Sequence, residues 1–185
     1  MKFYELNVAG LKRNLTLCPV TEDLYIAGFI MIGDPELSRE CAKELLKKVP
    51  EYDYILTAET KGIPLAHEMA ELRGDDKYFV ARKGKKLYMS GVFECNVKSI
   101  STEKTQTLYL DTADAELMKG KRILIADDVV STGESAYALS ELVRQAGGEI
   151  VGICTVLAEG EAAERPDVIY LEKLPLFDRN GNIIG

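Results

Sequence analysis

The 185-residue chain is 46% hydrophobic and 29% charged, the mixture of an ordinary single globular domain with enough bulk for its own core. A net charge of −7 argues against nucleic-acid binding, which needs clustered cations; a phosphorylated small molecule stays open, because a helix N-terminus holds phosphate without net positive charge. No apolar run approaches the length of a membrane span and none opens the chain, so neither a transmembrane helix nor a signal peptide is expected.

The first thirty or so residues alternate loosely through Leu11, Leu15 and Leu17 to the apolar stretch Leu24–Ile30, which predicts short strands. Asp34-Pro35 then starts a helix, Asp34 as N-cap and Pro35 in the first helical position, with Leu37, Cys41, Ala42, Leu45, Leu46 and Val49 on one face and Pro50 as the stop. Tyr54–Ala58 reads as a strand, Glu59–Gly62 as a loop, and Pro64 opens a helix carrying Leu65, Met69 and Leu72. A strand at Lys77–Ala81 follows. The Lys-, Ser- and Thr-rich region up to Thr107 holds a hairpin near Val92–Val97 and a polar stretch at Lys98–Thr105, before a strand at Leu108–Leu110. Arg122–Ala126 is a continuous apolar run, as a central parallel strand requires; a helix from Glu134 to Ala146 ends at Gly147-Gly148; Ile150–Leu157 and Val168–Leu171 are the last strands. Strands alternating with helices predict an α/β fold: an open, mostly parallel sheet with helices on both faces. Ligands bind such sheets at the C-terminal strand ends, where Glu59–Gly62, Asp127–Ser135 and the segment after Leu157 should converge.

The chemistry concentrates in Ile123–Ser135. A buried strand leads into two adjacent acids, Asp127 and Asp128, then into the small polar turn Ser131-Thr132-Gly133-Glu134-Ser135 that opens a helix. Small donors at a helix N-terminus make a phosphate cradle. The acids would repel that phosphate, so they face something cationic or rich in hydroxyls; a ribose diol beside Mg²⁺ meets the demand, and a sugar 5-phosphate fits both subsites. No Walker phosphate loop occurs. Cys18, Cys41, Cys95 and Cys154 include no C-x-x-C pair and His67 is the single histidine, which argues against structural zinc and against a base-paired thiol nucleophile.

This thirteen-residue stretch closely resembles the signature by which type I phosphoribosyltransferases bind phosphoribosyl pyrophosphate (PRPP), and the order of elements resembles the adenine and xanthine enzymes over roughly residues 20 to 175. The resemblance implies transfer of the 5-phosphoribosyl group from PRPP to a purine base in purine salvage, with Mg²⁺ held through the substrate and by Asp127 or Asp128, in a cytoplasmic homodimer. It implies a hood from residues 1–34, a mobile loop at 83–105 whose far limb is Ser99–Gln106, and the 5-phosphate on Ser131, Thr132, Gly133, Glu134 and Ser135. Pyrophosphate is assigned to Glu59, Thr60, Lys61 and Gly62, with a cis peptide expected at Thr60–Lys61, and to Arg82, Lys83 and Lys86. The plain alternatives are a polar turn before Pro64 and a solvated run of charge. Phe29, Ile30, Val129 and Glu159 are the candidates for the base, with Tyr25 and Ile26 as further apolar walls. In 6-oxopurine enzymes a lysine follows the strand after the signature helix; here Glu159 and Glu161 stand there, and carboxylates suit an exocyclic amine, which points to adenine. Two other readings stay open: a non-catalytic regulator that senses PRPP, and a phosphoribosyltransferase for xanthine or another base.

Overall fold

The computed structural model describes residues 2–98 and 105–184. Three antiparallel strands come first: β1 (Phe3–Val8), β2 (Leu11–Pro19) and β3 (Tyr25–Ala27), with β2 in the middle. Helix α1 (Pro35–Leu46) begins as expected, Asp34 Oδ1 accepting from the Leu37 N–H at 3.0 Å. It stops at Leu46 rather than at Pro50, the chain turning through Lys47–Val49 while the Lys48 and Val49 N–H groups donate back to the Leu45 carbonyl. Next come β4 (Tyr54–Ala58), α2 (Ile63–Arg73) and β5 (Phe79–Ala81). The hairpin has longer arms than expected, β6 (Val92–Lys98) pairing antiparallel with β7 (Thr105–Asp111), so Leu108–Leu110 belongs to it. Residues 99–104, which hold most of the Ser99–Gln106 limb, lie outside the described residues.

A short helix that periodicity did not announce, α3 (Thr112–Met118), follows directly; Asp111 caps it and Ala115 and Met118 are buried. β8 (Arg122–Val130), α4 (Glu134–Gln145) and β9 (Glu149–Glu159) run on, and a 3₁₀ turn at Gly160–Glu164 leads to β10 (Val168–Leu174).

The central sheet is wholly parallel in the order β10-β9-β8-β4-β5. Alternation along its strands divides the core. Ile55, Leu124 and Ala126 join α1, α2 and the N-terminal sheet on one face, while Leu56, Ile123 and Ile125 join α3, α4 and the β6–β7 hairpin on the other. The N-terminal sheet is tied to the C-terminal segment by reciprocal Tyr25–Phe177 backbone bonds of 2.8 and 2.9 Å. β4, β8 and β9 therefore end side by side at one edge. Among the described residues no helix is long and apolar enough to cross a membrane.

Candidate active site

The C-terminal ends of β4, β8 and β9 open into a cavity of about 1010 Å³, at the upper end of small-molecule sites. Glu59, Thr60 and Lys61 reach it from the β4 loop, Asp127, Asp128 and Val129 from β8, Ser131, Glu134 and Ser135 from the turn into α4, and Glu159 from the end of β9. The three expected loops do converge.

The acid pair is deeper than a strand-end reading implies. β8 continues to Val130, so Asp127 and Asp128 are part of the strand; Asp128 is only 4% exposed. Strand alternation turns the two side chains apart, and the Asp128 N–H donates to Asp127 Oδ1 at 2.9 Å. Asp128 Oδ2 is buried with no hydrogen-bond donor among the described residues, and the nearest cation, Lys61 Nζ, stands 4.0 Å away. Burial, and for Asp127 then the neighbouring charge, pushes both carboxyls above the ordinary range. Such a pair suits a ligand that brings positive charge or hydroxyl donors.

The β4 loop comes this close because residue 62 has no side chain. A Cβ there would overlap Thr57 Oγ1 and stand 2.9 Å from Asp127 Oδ1. The cis peptide bond in this loop joins Glu59 to Thr60, one residue earlier than expected. The Glu59 N–H still completes the sheet pattern by donating to the Ala81 carbonyl at 2.8 Å, and the chain leaves the sheet immediately after it.

On the other side of the acids the turn into α4 passes through Gly133 at φ 81°, a left-handed conformation that favours glycine. Gly133 stands at the N-cap of α4 and has no side chain with which to cap it, so the helix start faces the cavity without a cap from that position. The guanidinium of Arg165, held by Asp167 through Nε and Nη2 at 3.1 and 2.6 Å, lies against Gly133.

Residues 34–178 match the phosphoribosyl transferase domain family. The chain belongs to the phosphoribosyltransferase family. It is 36% identical over 138 residues to the hypoxanthine/guanine phosphoribosyltransferase of Methanotorris igneus, covering 74% of this chain and 71% of that protein. It is 33% identical over 129 residues to the adenine phosphoribosyltransferase of Acetivibrio thermocellus, covering 66% and 70%. To the xanthine phosphoribosyltransferase of Bacillus thuringiensis it is 35% identical over 156 residues, covering 80% and 78%. In fold it superposes on the adenine phosphoribosyltransferase of Thermoanaerobacter pseudethanolicus with a TM-score of 0.71, covering 86% of this chain and 95% of that one at 20% identity. The fold is that of the type I phosphoribosyltransferases.

Within this family fold, the sequence-derived candidates are not all in the cavity wall. Phe29 and Ile30 both line it, but Phe29 is 3% exposed and mainly core, whereas Ile30 is 63% exposed and stands at the mouth. Ile26 lines the cavity and Tyr25 does not. Glu159 is half-buried in the wall, and burial raises its carboxyl, opposed by Lys61; Glu161 is exposed outside it. Lys83 lines the cavity, while Arg82 and Lys86 sit behind Glu59, at 3.4 and 3.9 Å from its carboxylate. Thr132 and Gly133 form the turn beside Ser131, and Gly62 packs under Asp127. Thr107 and Tyr109 from β7 and Leu174 at the end of β10 also line the cavity. Tertiary topology alone brings them there; no local pattern marks them. Burial pushes the Cys41 and Cys154 thiols up to about 12, which leaves them unsuited as nucleophiles.

Proposed function

We propose that the chain transfers the 5-phosphoribosyl group of PRPP to adenine, giving a nucleoside monophosphate and pyrophosphate. The observation that carries the reading is the juxtaposition, around one cavity, of the buried Asp127–Asp128 pair, the uncapped N-terminus of α4 and the Glu59–Gly62 loop. A sugar 5-phosphate fits the Ser131–Ser135 turn, where backbone N–H groups and the helix dipole meet its charge. The ribose hydroxyls then fall to Asp127 and Asp128 as acceptors. Pyrophosphate lies toward Thr60, Lys61 and Lys83, whose donors stabilise the charge that develops as it leaves. The base packs between Ile30 and Val129, with Glu159 at its edge.

The donor set is compatible with Mg²⁺ carried by the substrate. Among the described residues no group of three or more His, Cys, Asp or Glu side chains could hold an ion alone, but Asp128 Oδ2 is a buried acceptor without a donor. When bound, the ion would neutralise pyrophosphate charge. As the bond from C1 to pyrophosphate lengthens, positive charge grows on the ribose, and the ionised aspartates favour it. A base nitrogen attacks C1 and completes the transfer. No covalent enzyme intermediate is needed, and Ile26, Phe29 and Val129 give the cavity an apolar side.

A second reading, transfer to a 6-oxopurine, draws support from the 35–36% identity to proteins named as hypoxanthine/guanine and xanthine phosphoribosyltransferases. Pyrophosphate release from PRPP and Mg²⁺ with each of adenine, hypoxanthine, guanine and xanthine is the test. PRPP-dependent release with none of them would remove the catalytic reading and leave a PRPP-sensing regulator.

The close approach at Gly62 gives a sharper check on the site. Gly62→Ala keeps an ordinary backbone, since φ is −73°, but must move Thr57 or Asp127. We expect kcat/KM for PRPP to fall by roughly 10²-fold, the loss associated with displacing a reacting group by about 1 Å. Parent-like kinetics in Gly62→Ala would show that the β4 loop and Asp127 do not act on one ligand.

A further inference from the structure

Glu59 is an odd residue to find where an anion should bind. It lines the cavity as the first residue of the loop assigned to pyrophosphate, and its carboxyl is held below the usual range, first by the Lys83 backbone N–H. An ionised side chain there repels the ligand unless it acts elsewhere. Its contacts show where. Glu59 Oε2 accepts the Lys83 N–H at 2.9 Å, and Oε1 lies 3.4 Å from Arg82 Nη1 and 3.9 Å from Lys86 Nζ. The segment leaving β5 is held on its other side by β7, through reciprocal Arg82–Tyr109 backbone bonds of 2.8 Å. Beyond Lys83 the chain turns on itself, the Lys86 N–H donating to Met89 Sδ and the Met89 N–H to the Lys86 carbonyl. Glu59 is thus the side-chain anchor at the point where the basic run Arg82–Lys86 leaves the sheet.

We propose that the Glu59 side chain is a positioning residue that fixes the root of the Arg82–Lys86 segment against the Glu59–Gly62 loop, and so builds the cationic end of the site before substrate arrives. The inference rests on the phosphoribosyl-transfer reading above. The Lys83 N–H bond is its main contact, because a backbone donor to a carboxylate is short and directional. The ion pairs to Arg82 and Lys86, long and 32% and 40% exposed on the cation side, add little to stability. They matter for where the charge waits: two cations are gathered at the Glu59 carboxylate, in the loop assigned to pyrophosphate.

Charge and positioning predict opposite signs, which makes the inference testable. Removing a negative charge alone would tighten an anionic substrate and lower KM for PRPP. Removing the anchor raises it. In Glu59→Ala we expect KM for PRPP to rise about 10-fold, the worth of one hydrogen bond to a charged group. KM for the base and kcat should change much less. Glu59→Gln keeps an oxygen for the Lys83 N–H and should show a smaller rise, with parent-like melting as the control for folding. Amide exchange at Lys83 in the substrate-free chain should quicken in Glu59→Ala. A lower or unchanged KM for PRPP in Glu59→Ala, or unchanged exchange at Lys83, overturns the inference. If the parent itself releases no pyrophosphate from PRPP, the functional reading fails separately. Calorimetric binding of pyrophosphate then decides the inference: weaker binding by Glu59→Ala supports it and equal binding overturns it.

Discussion

Asp127→Asn and Asp128→Asn are each expected to lower kcat with PRPP by about 10²–10³-fold, the range seen when a charged or polar group aimed at developing charge is lost. Each change keeps side-chain volume and removes one acceptor charge from the ribose. The same changes should not destabilise the empty protein near neutral pH. Both carboxyls are raised in the fold, by burial first, so the folded state binds protons more tightly than the unfolded chain. Their contribution to stability is therefore fully present below the unfolded value of about 3.9 and is lost as pH rises through the raised values. A neutral asparagine escapes that loss. Asp128→Asn, at the more buried position, should melt at or above the parent at about pH 7, by roughly 2–4 °C for each kcal/mol recovered, and the difference should shrink toward about pH 4. The new amide group needs an acceptor of its own in a buried place, which offsets part of the gain. Activity should fall on the acid side at a pH above the ordinary carboxylate range, as one titration of the pair rather than of either residue. Turnover within about threefold of the parent in both variants would detach the acids from the ribose, since loss of such a group costs far more. A large drop in melting temperature beside that loss would instead make the pair a structural feature.

The same acids show where the sequence is legible and where it is not. The Ile123–Ser135 stretch could be read because its signal is local: strand, acids, turn and helix start lie in consecutive positions, and each has its own physical mark. The α1 start was equally plain, since Asp34-Pro35 is a cap and a first-turn residue in one dipeptide. The depth of Asp128 was not legible. Polar residues suggest a strand end, yet β8 carries on through Val129 and Val130 because β9 remains beside it, pairing Val129 with Leu157 and Val130 with Ala158. Helix α3 escaped because seven residues give under two turns of periodicity, too few to stand out. Leu174, Thr107 and Tyr109 reach the cavity by sheet order alone, and a sequence pattern cannot carry that. The run Arg82–Lys86 was visible as charge, but not that Glu59, more than twenty positions earlier, holds its root.

Adenine is expected to be used with a kcat/KM at least about 10²-fold above those for hypoxanthine, guanine and xanthine, and Glu159→Gln should erase most of that preference. Of the two, Glu159 is half-buried in the cavity wall, while Glu161 is exposed and not part of the wall, and serves as the control. An ionised carboxylate only accepts, so a 6-amino group gains a charge-assisted hydrogen bond of roughly 1.5–3 kcal/mol, whereas a 6-oxo group meets a like-signed oxygen. Burial raises the Glu159 carboxyl, and the opposing pull of Lys61 helps to keep the charged form. If protonated, the same carboxyl would donate to a carbonyl oxygen, so the preference for adenine should sharpen as pH rises through its raised value and blur as pH falls. Glutamine presents a donor and an acceptor at once and can serve either base, so it should bring the rates together rather than lower them equally. Faster turnover of a 6-oxopurine by the parent would show that the base is wrong. Unchanged selectivity in Glu159→Gln, or an equal effect of Glu161→Gln, would show that Glu159 does not choose it, and the choice would then fall to the backbone and apolar walls around Ile30 and Val129.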